Sequence, residues 1–361
     1  MAEREWHQLY FDKWVEREGI DLIRGHKVDD IYSLPLKEWQ RTGGKAAQIQ
    51  LEGTGELNAS CVSEIPAGGQ LKVQKHLYEE IIYILRGRGA TSMWVDKQRK
   101  NTFEWSEGSL FAIPLNASYQ HFNGSGDTSV RMLSVTTAPV MMNLLRNDEA
   151  IFNNPLSFPD RYQGESDYFS AENEEDDYLG WGAPYHVNFS NLFPDIHALP
   201  LHYLNRGVDT RGNHFELANG VLSAHLLEMP GGTFTKLHRH GPGAHVVWLK
   251  GEGYTVLFPD AGEMMKEEWG PGTMLVPPAF WWHQHCAVAA EPALHLALKL
   301  TSRRNIVTRG STATLKSTRE GGNQMDYEDM PPRTLETLKQ MFADECARRG
   351  TLARMEAIVG G

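Results

Sequence analysis

The feature that most constrains this chain is a repeat. Compared with itself at an offset of 164 residues, the sequence keeps one register without a gap. Pro66 falls on Pro230, Gly68 on Gly232, His76 on His240, and Gly87 and Gly89 on Gly251 and Gly253. Trp105 and Gly108 fall on Trp269 and Gly272, Pro114 on Pro278, and Gln120-His121 on Gln284-His285. So many identities in one register over roughly 55 residues mark two copies of one unit. The unit reads as β structure. Ile81 to Leu85 is a short apolar run closed by Arg86-Gly87-Arg88-Gly89, and its copy, His245 to Leu249, is closed by Lys250-Gly251-Glu252-Gly253. Both are strands ending in turns. Short strands punctuated by Gly and Pro point to a sandwich or barrel. One helix is expected, after Pro331-Pro332 and running to Ala347, with Gly350 as its stop. The expected fold class is all-β, with an N-terminal extension over 1–45, a first barrel over 46–145 and a linker over 146–205. A second barrel over 206–305 and a tail with the helix over 306–361 complete it.

Composition excludes several function classes. Asp and Glu outnumber Lys and Arg 46 to 35, for a formal net charge of −11. A general nucleic-acid binder needs a basic face instead. No window approaches 18 consecutive apolar residues, so no membrane partner is expected. The start, Met-Ala-Glu-Arg-Glu-Trp, has no apolar stretch, and the three cysteines (Cys61, Cys286, Cys346) are scattered. A cytoplasmic location is therefore expected.

The chemistry lies in histidine spacing. His238 and His240 stand at i and i+2, and on a strand such residues share a face about 6–7 Å apart. A third histidine from a later strand, His283, can complete a set that leaves positions open for substrate or dioxygen. His285, two residues beyond His283, is expected to face the same cavity.

The arrangement Gly232-x5-His238-x-His240, then Gly272-x5-Pro278-x-Phe280-x2-His283, resembles the two motifs of the cupin superfamily. Both copies carry the pattern, so the chain resembles a bicupin, and its second copy resembles the gentisate 1,2-dioxygenase-like bicupins. The resemblance implies two tandem jelly-roll β-barrels. It implies His238, His240 and His283 as metal ligands, with Ala244 where the family has a glutamate and Phe280 where it has a glycine. In the first copy the corresponding positions are Gln74, His76, Glu80 and Tyr119. A second metal set of Gln74, His76, Glu80 and His121 is the lesser expectation there. The expected function is a non-haem Fe(II) dioxygenase cleaving or oxidising a small aromatic or enolisable acid. Mn, Ni, Cu and Zn are alternative ions. His285 would carry protons as the catalytic residue, and Trp248, Trp282 and His245 would line the substrate site. The rival readings are a redox-neutral metal-dependent lyase, isomerase or decarboxylase, and a non-catalytic binding or regulatory bicupin. A homodimer or higher assembly is expected.

Overall fold

The computed structural model describes residues 8–96, 99–178, 185–259, 263–307 and 314–354. Its strands repeat as the sequence does. Ala59–Ile65, Glu80–Arg86 and Ser118–Asn123 have counterparts at the 164-residue offset in Ser223–Met229, Ala244–Lys250 and Trp282–Ala287. Each copy folds into a larger and a smaller sheet. The first copy has an eight-stranded and a three-stranded sheet, the second a nine-stranded and a six-stranded one. The chain is thus two tandem barrels of β structure, with the helix Pro332–Arg348 at the end. That helix starts on Pro332, whose fixed φ and missing N–H suit a first helical position. It buries Leu338, Phe342 and Cys346 against Phe234, Tyr254 and Val256 of the smaller second sheet.

The duplication also reaches into the stretches set aside as extension and linker. Asp21–Ile23 pairs in parallel with Gly44–Ile49, and Tyr185–Phe189 pairs in parallel with Arg211–Glu216. The first of these leading strands, three residues long, is too short to announce itself by alternation. They are also exchanged. Lys27–Val28, ahead of the first barrel, pairs with Met274–Leu275 of the second, and Leu192–Phe193, ahead of the second, pairs with Leu110–Ile113 of the first.

Between the barrels runs one apolar core. Ile49, Val62, Tyr83 and Leu133 of the first copy pack in the same cluster as Phe215, Leu226, Val247 and Leu296 of the second. Inward positions of the larger sheets are buried at close to full density, which is what holds the smaller sheets and their histidines in place.

Candidate metal centre

The strand Trp282–Ala287 alternates as a strand must: His283 and His285 point into the second barrel, and Trp282 and Cys286 join the outer cluster beneath the C-terminal helix. His238 lies directly across from His283, and Thr255 directly across from His285. Ring centroids are 4.2 Å apart for His238 and His283, 5.5 Å for His283 and His285, and 5.6 Å for His238 and His285. The ligand atoms of these three all lie within 4.8 Å of one another, the one such group among the described residues. His240 stands at its rim. Its ring is 4.8 Å from that of His283 but 6.3 Å from that of His238.

The outer nitrogens settle the tautomers. Nδ1 of His238 donates to the Lys236 carbonyl (2.8 Å), that of His283 to Trp281 (3.0 Å) and that of His240 to Gly241 (2.7 Å). A carbonyl only accepts, so Nδ1 carries the proton and Nε2 keeps its lone pair. That is how metal-binding histidines are oriented. His285 is held differently: its Nδ1 meets Thr255 Oγ1 at 2.8 Å, and Thr255 accepts from Trp269 Nε1 at 3.1 Å. The first barrel repeats this relay in His121, Thr91 and Trp105 at 2.7 and 2.8 Å. There Gly89 is required by close approach, because a Cβ would collide with the Trp105 ring and the Phe122 carbonyl.

Burial pushes the His238, His283 and His285 pKa values well below the ordinary range, the nearby Arg206 charge adding to it, and burial brings His240 to about 4. All four are neutral donors at pH 7. His283 Nε2 is buried with no hydrogen-bond partner, so a divalent ion fits the donor set and would relieve an orphaned atom.

The other sequence candidates divide. Trp248 is fully buried and stacks on Trp269 at 3.4 Å, with its ring 5.5 Å from His285. It supports the histidine from below. Trp282 faces outward, under the Arg239 guanidinium at 4.6 Å. His245 is buried, but its neighbours Ala244 and Val246 are the ones that line the cavity, so strand parity turns its ring away.

In the first barrel Gln74 does not join a ligand set. Its amide donates to the carbonyls of Arg41, Lys72 and Val73. Tyr119 occupies the last ligand position, and its hydroxyl bonds His76 Nε2 at 3.0 Å and Glu80 at 3.1 Å, while His76 and Glu80 meet at 3.2 Å. A hydroxyl stands where the second barrel has its histidine group.

Against the second site lies a cavity of about 60 Å³. A cavity of that size admits water, for which about 10–15 Å³ is enough. Arg206, His225, His295 and Lys299 line it, and sequence reasoning missed all four. The repeat could not reveal them, because their counterparts in the first copy are residues of other kinds: Thr42, Cys61, Arg131 and Val135.

Neither a protein-family model nor a curated relative matches the sequence. Solved structures do. One of Bacillus subtilis oxalate decarboxylase, concerned with its Mn(II) centres, aligns over 80% of this chain and 80% of its own, at 15% identity and a TM-score of 0.51. Another oxalate decarboxylase structure, concerned with substrate binding and a reaction specificity switch, aligns over 90% and 86%, at 14% identity and a TM-score of 0.53. Both are built of tandem cupin domains. The chain shares their fold, two tandem β-barrels of the cupin kind. The structures compared carry the name of a decarboxylase and lend nothing to the finer likeness to gentisate 1,2-dioxygenase-like bicupins. No helix among the described residues is long and apolar enough to cross a membrane.

Phe280 stands where the resemblance placed a glycine. It stands at φ 62°, in the left-handed region, as does its first-copy counterpart Asn116 at φ 61°. Asn tolerates that conformation and Phe does so under strain.

Proposed function

We propose that the second barrel is a metal-dependent catalytic site that acts on a small organic acid without net oxidation, as a lyase, decarboxylase or isomerase. The observation that carries this reading is the group His238, His283 and His285, with two of its Nδ1 atoms tied to backbone carbonyls and their Nε2 atoms turned together. His240 at the rim is a fourth donor. The ion proposed is Mn(II) or Fe(II). Mn(II) is the metal named for one structural neighbour, and imidazole suits iron. Bound there, a divalent ion would polarise a substrate oxygen and stabilise negative charge developing on it. The chain's own part is positional. Trp248 and the Thr255–Trp269 pair fix the His285 ring, and Leu227, Val246 and Leu300 keep bulk water from the cavity wall. His285 thus stands with the ligands, where the sequence reading made it the proton carrier.

The dioxygenase reading loses its place to its own alternative. Its support was the gentisate-like resemblance, and the structures that align with the chain are named for a decarboxylase. The test is incubation of metal-loaded protein with oxalate, gentisate and other small acids, following CO2 release and dissolved oxygen together. Turnover without stoichiometric oxygen uptake is expected. Oxygen consumed mole for mole with substrate, or purified protein that takes up no divalent ion, overturns the proposal.

A further inference from the structure

The chain carries 46 acidic residues, yet none lines the cavity beside the histidine group. Instead Arg206 and Lys299 do, together with five imidazoles. Arg206 is 7% exposed, its Nη1 has no hydrogen-bond partner, and it meets no carboxylate among the described residues. A buried guanidinium without a counter-charge costs several kcal/mol, and the same geometry becomes favourable when an anion enters. Other orphaned groups belong to the same wall. His225 and His295 touch through their Nε2 atoms at 3.3 Å, and both Nδ1 atoms, like Thr301 Oγ1, are buried without partners. One N–H···N bond between two neutral imidazoles leaves one Nδ1–H free to donate. Glu216, whose charge acts on Lys299, also pairs with His214 at 2.8 Å and accepts from Ser302 Oγ at 2.7 Å and the Arg303 amide at 2.6 Å, and no ion pair joins it to Arg206 among the described residues.

We propose that Arg206 and Lys299, with the His225–His295 pair and Thr301, form a subsite for the carboxylate of a small organic acid. The proposal rests on the reading of the second barrel as the working site in that the carboxylate sits beside the metal group. Its substrates then carry a second oxygen function that can turn toward His238 and His283. A second cation at the His225–His295 pair is disfavoured by the same Arg206 charge.

The test is calorimetric titration of malonate, acetate and inorganic phosphate into the full-length protein and its variants. Malonate should bind the wild type. Arg206→Met should weaken it by about tenfold or more, the loss expected for a charge-assisted bond, and Lys299→Met by less. Arg206→Lys should recover part of the binding, and near-UV circular dichroism checks that each variant is folded. Should Arg206→Met fail to fold, the other two variants carry the comparison. Equal binding by wild type and Arg206→Met, or Arg206-dependent binding of phosphate in preference to malonate, would overturn the proposal. Metal content read on the same samples separates the two ideas. Arg206-dependent carboxylate binding in a chain that takes up no metal leaves this subsite standing and removes the proposed function. A metal-loaded chain that binds no carboxylate does the reverse.

Discussion

The two barrels hold equivalent positions in opposite states. In the first, the Tyr119 hydroxyl bridges His76 and Glu80, and the polar groups satisfy one another. In the second, histidines at the Gln74 and Tyr119 positions converge on one another, with His283 Nε2 left without a partner. The first is a closed hydrogen-bond triad and the second an open donor set. Duplication of a strand framework therefore does not duplicate the chemistry: one aromatic hydroxyl is enough to complete a site internally.

The largest effect expected of this contrast is on metal content. His283→Ala should reduce divalent metal from near one per chain to near zero by elemental analysis, whereas His76→Ala should leave it unchanged. Full metal in His283→Ala would break the comparison. Replacing His240 sharpens it. As a rim donor it should cost about 10–100-fold in metal affinity, the range of an outer-sphere partner. If His240→Ala empties the site as completely as His283→Ala, then His238, His240 and His283 are the working ligands and His285 is not.

Acid should next tell the barrels apart. Burial pushes His214 and His245 of the second barrel to about 4, below the ~6.5 of an unfolded histidine. Below that value the unfolded chain binds protons the native barrel refuses. Stability is therefore fully present above about pH 6.5 and falls as pH drops toward 4. In the first barrel burial brings one histidine, His121, to about 4, against His214, His240, His245 and others in the second; there, although burial pushes Glu80 up, the hydrogen bond and charge of His76 hold it below its ordinary value. Its contribution is present above pH 4.5 and lost only below it. Hydrogen exchange between pH 6.5 and 4.5 should show protection lost from Ala244–Lys250 before Glu80–Arg86. The reverse order would contradict the assignment.

The smallest effect concerns the paired left-handed residues. Phe280→Gly should stabilise by about 0.5 kcal/mol, since relief of strain outweighs added chain entropy and the Phe280 ring is 43% exposed. Asn116→Gly should destabilise by about 1 kcal/mol, because the Asn116 amide donates to the Asn154 carbonyl at 3.2 Å. Chemical unfolding midpoints read both, and equal signs would mean that side-chain bonds, not φ, govern the two turns.

What was legible followed from identity between the copies. The 164-residue offset placed the main strands, and i, i+2 spacing placed His283 and His285 on one inward face. The limits have physical causes. Leading strands of two or three residues carry no alternation to read. His240 leaves the tight group because the described strand ends at His238 and the chain turns through Gly241-Pro242-Gly243, so parity no longer fixes its ring. Trp282 was expected at the substrate wall, yet alternation with His283 sends it outward. Arg206, His225, His295 and Lys299 were hidden because a search for what two copies share passes over what distinguishes one of them.

The exchanged leading strands bear on how the chain is made. Lys27–Val28 is synthesised well before its partner Met274–Leu275, some 250 residues downstream, so its edge stays unpaired until the second barrel is nearly complete. The first barrel likewise waits for Leu192–Phe193 before its own sheet is closed. Neither half finishes alone, and assembly of the first barrel becomes conditional on synthesis of the one that carries the open histidine group.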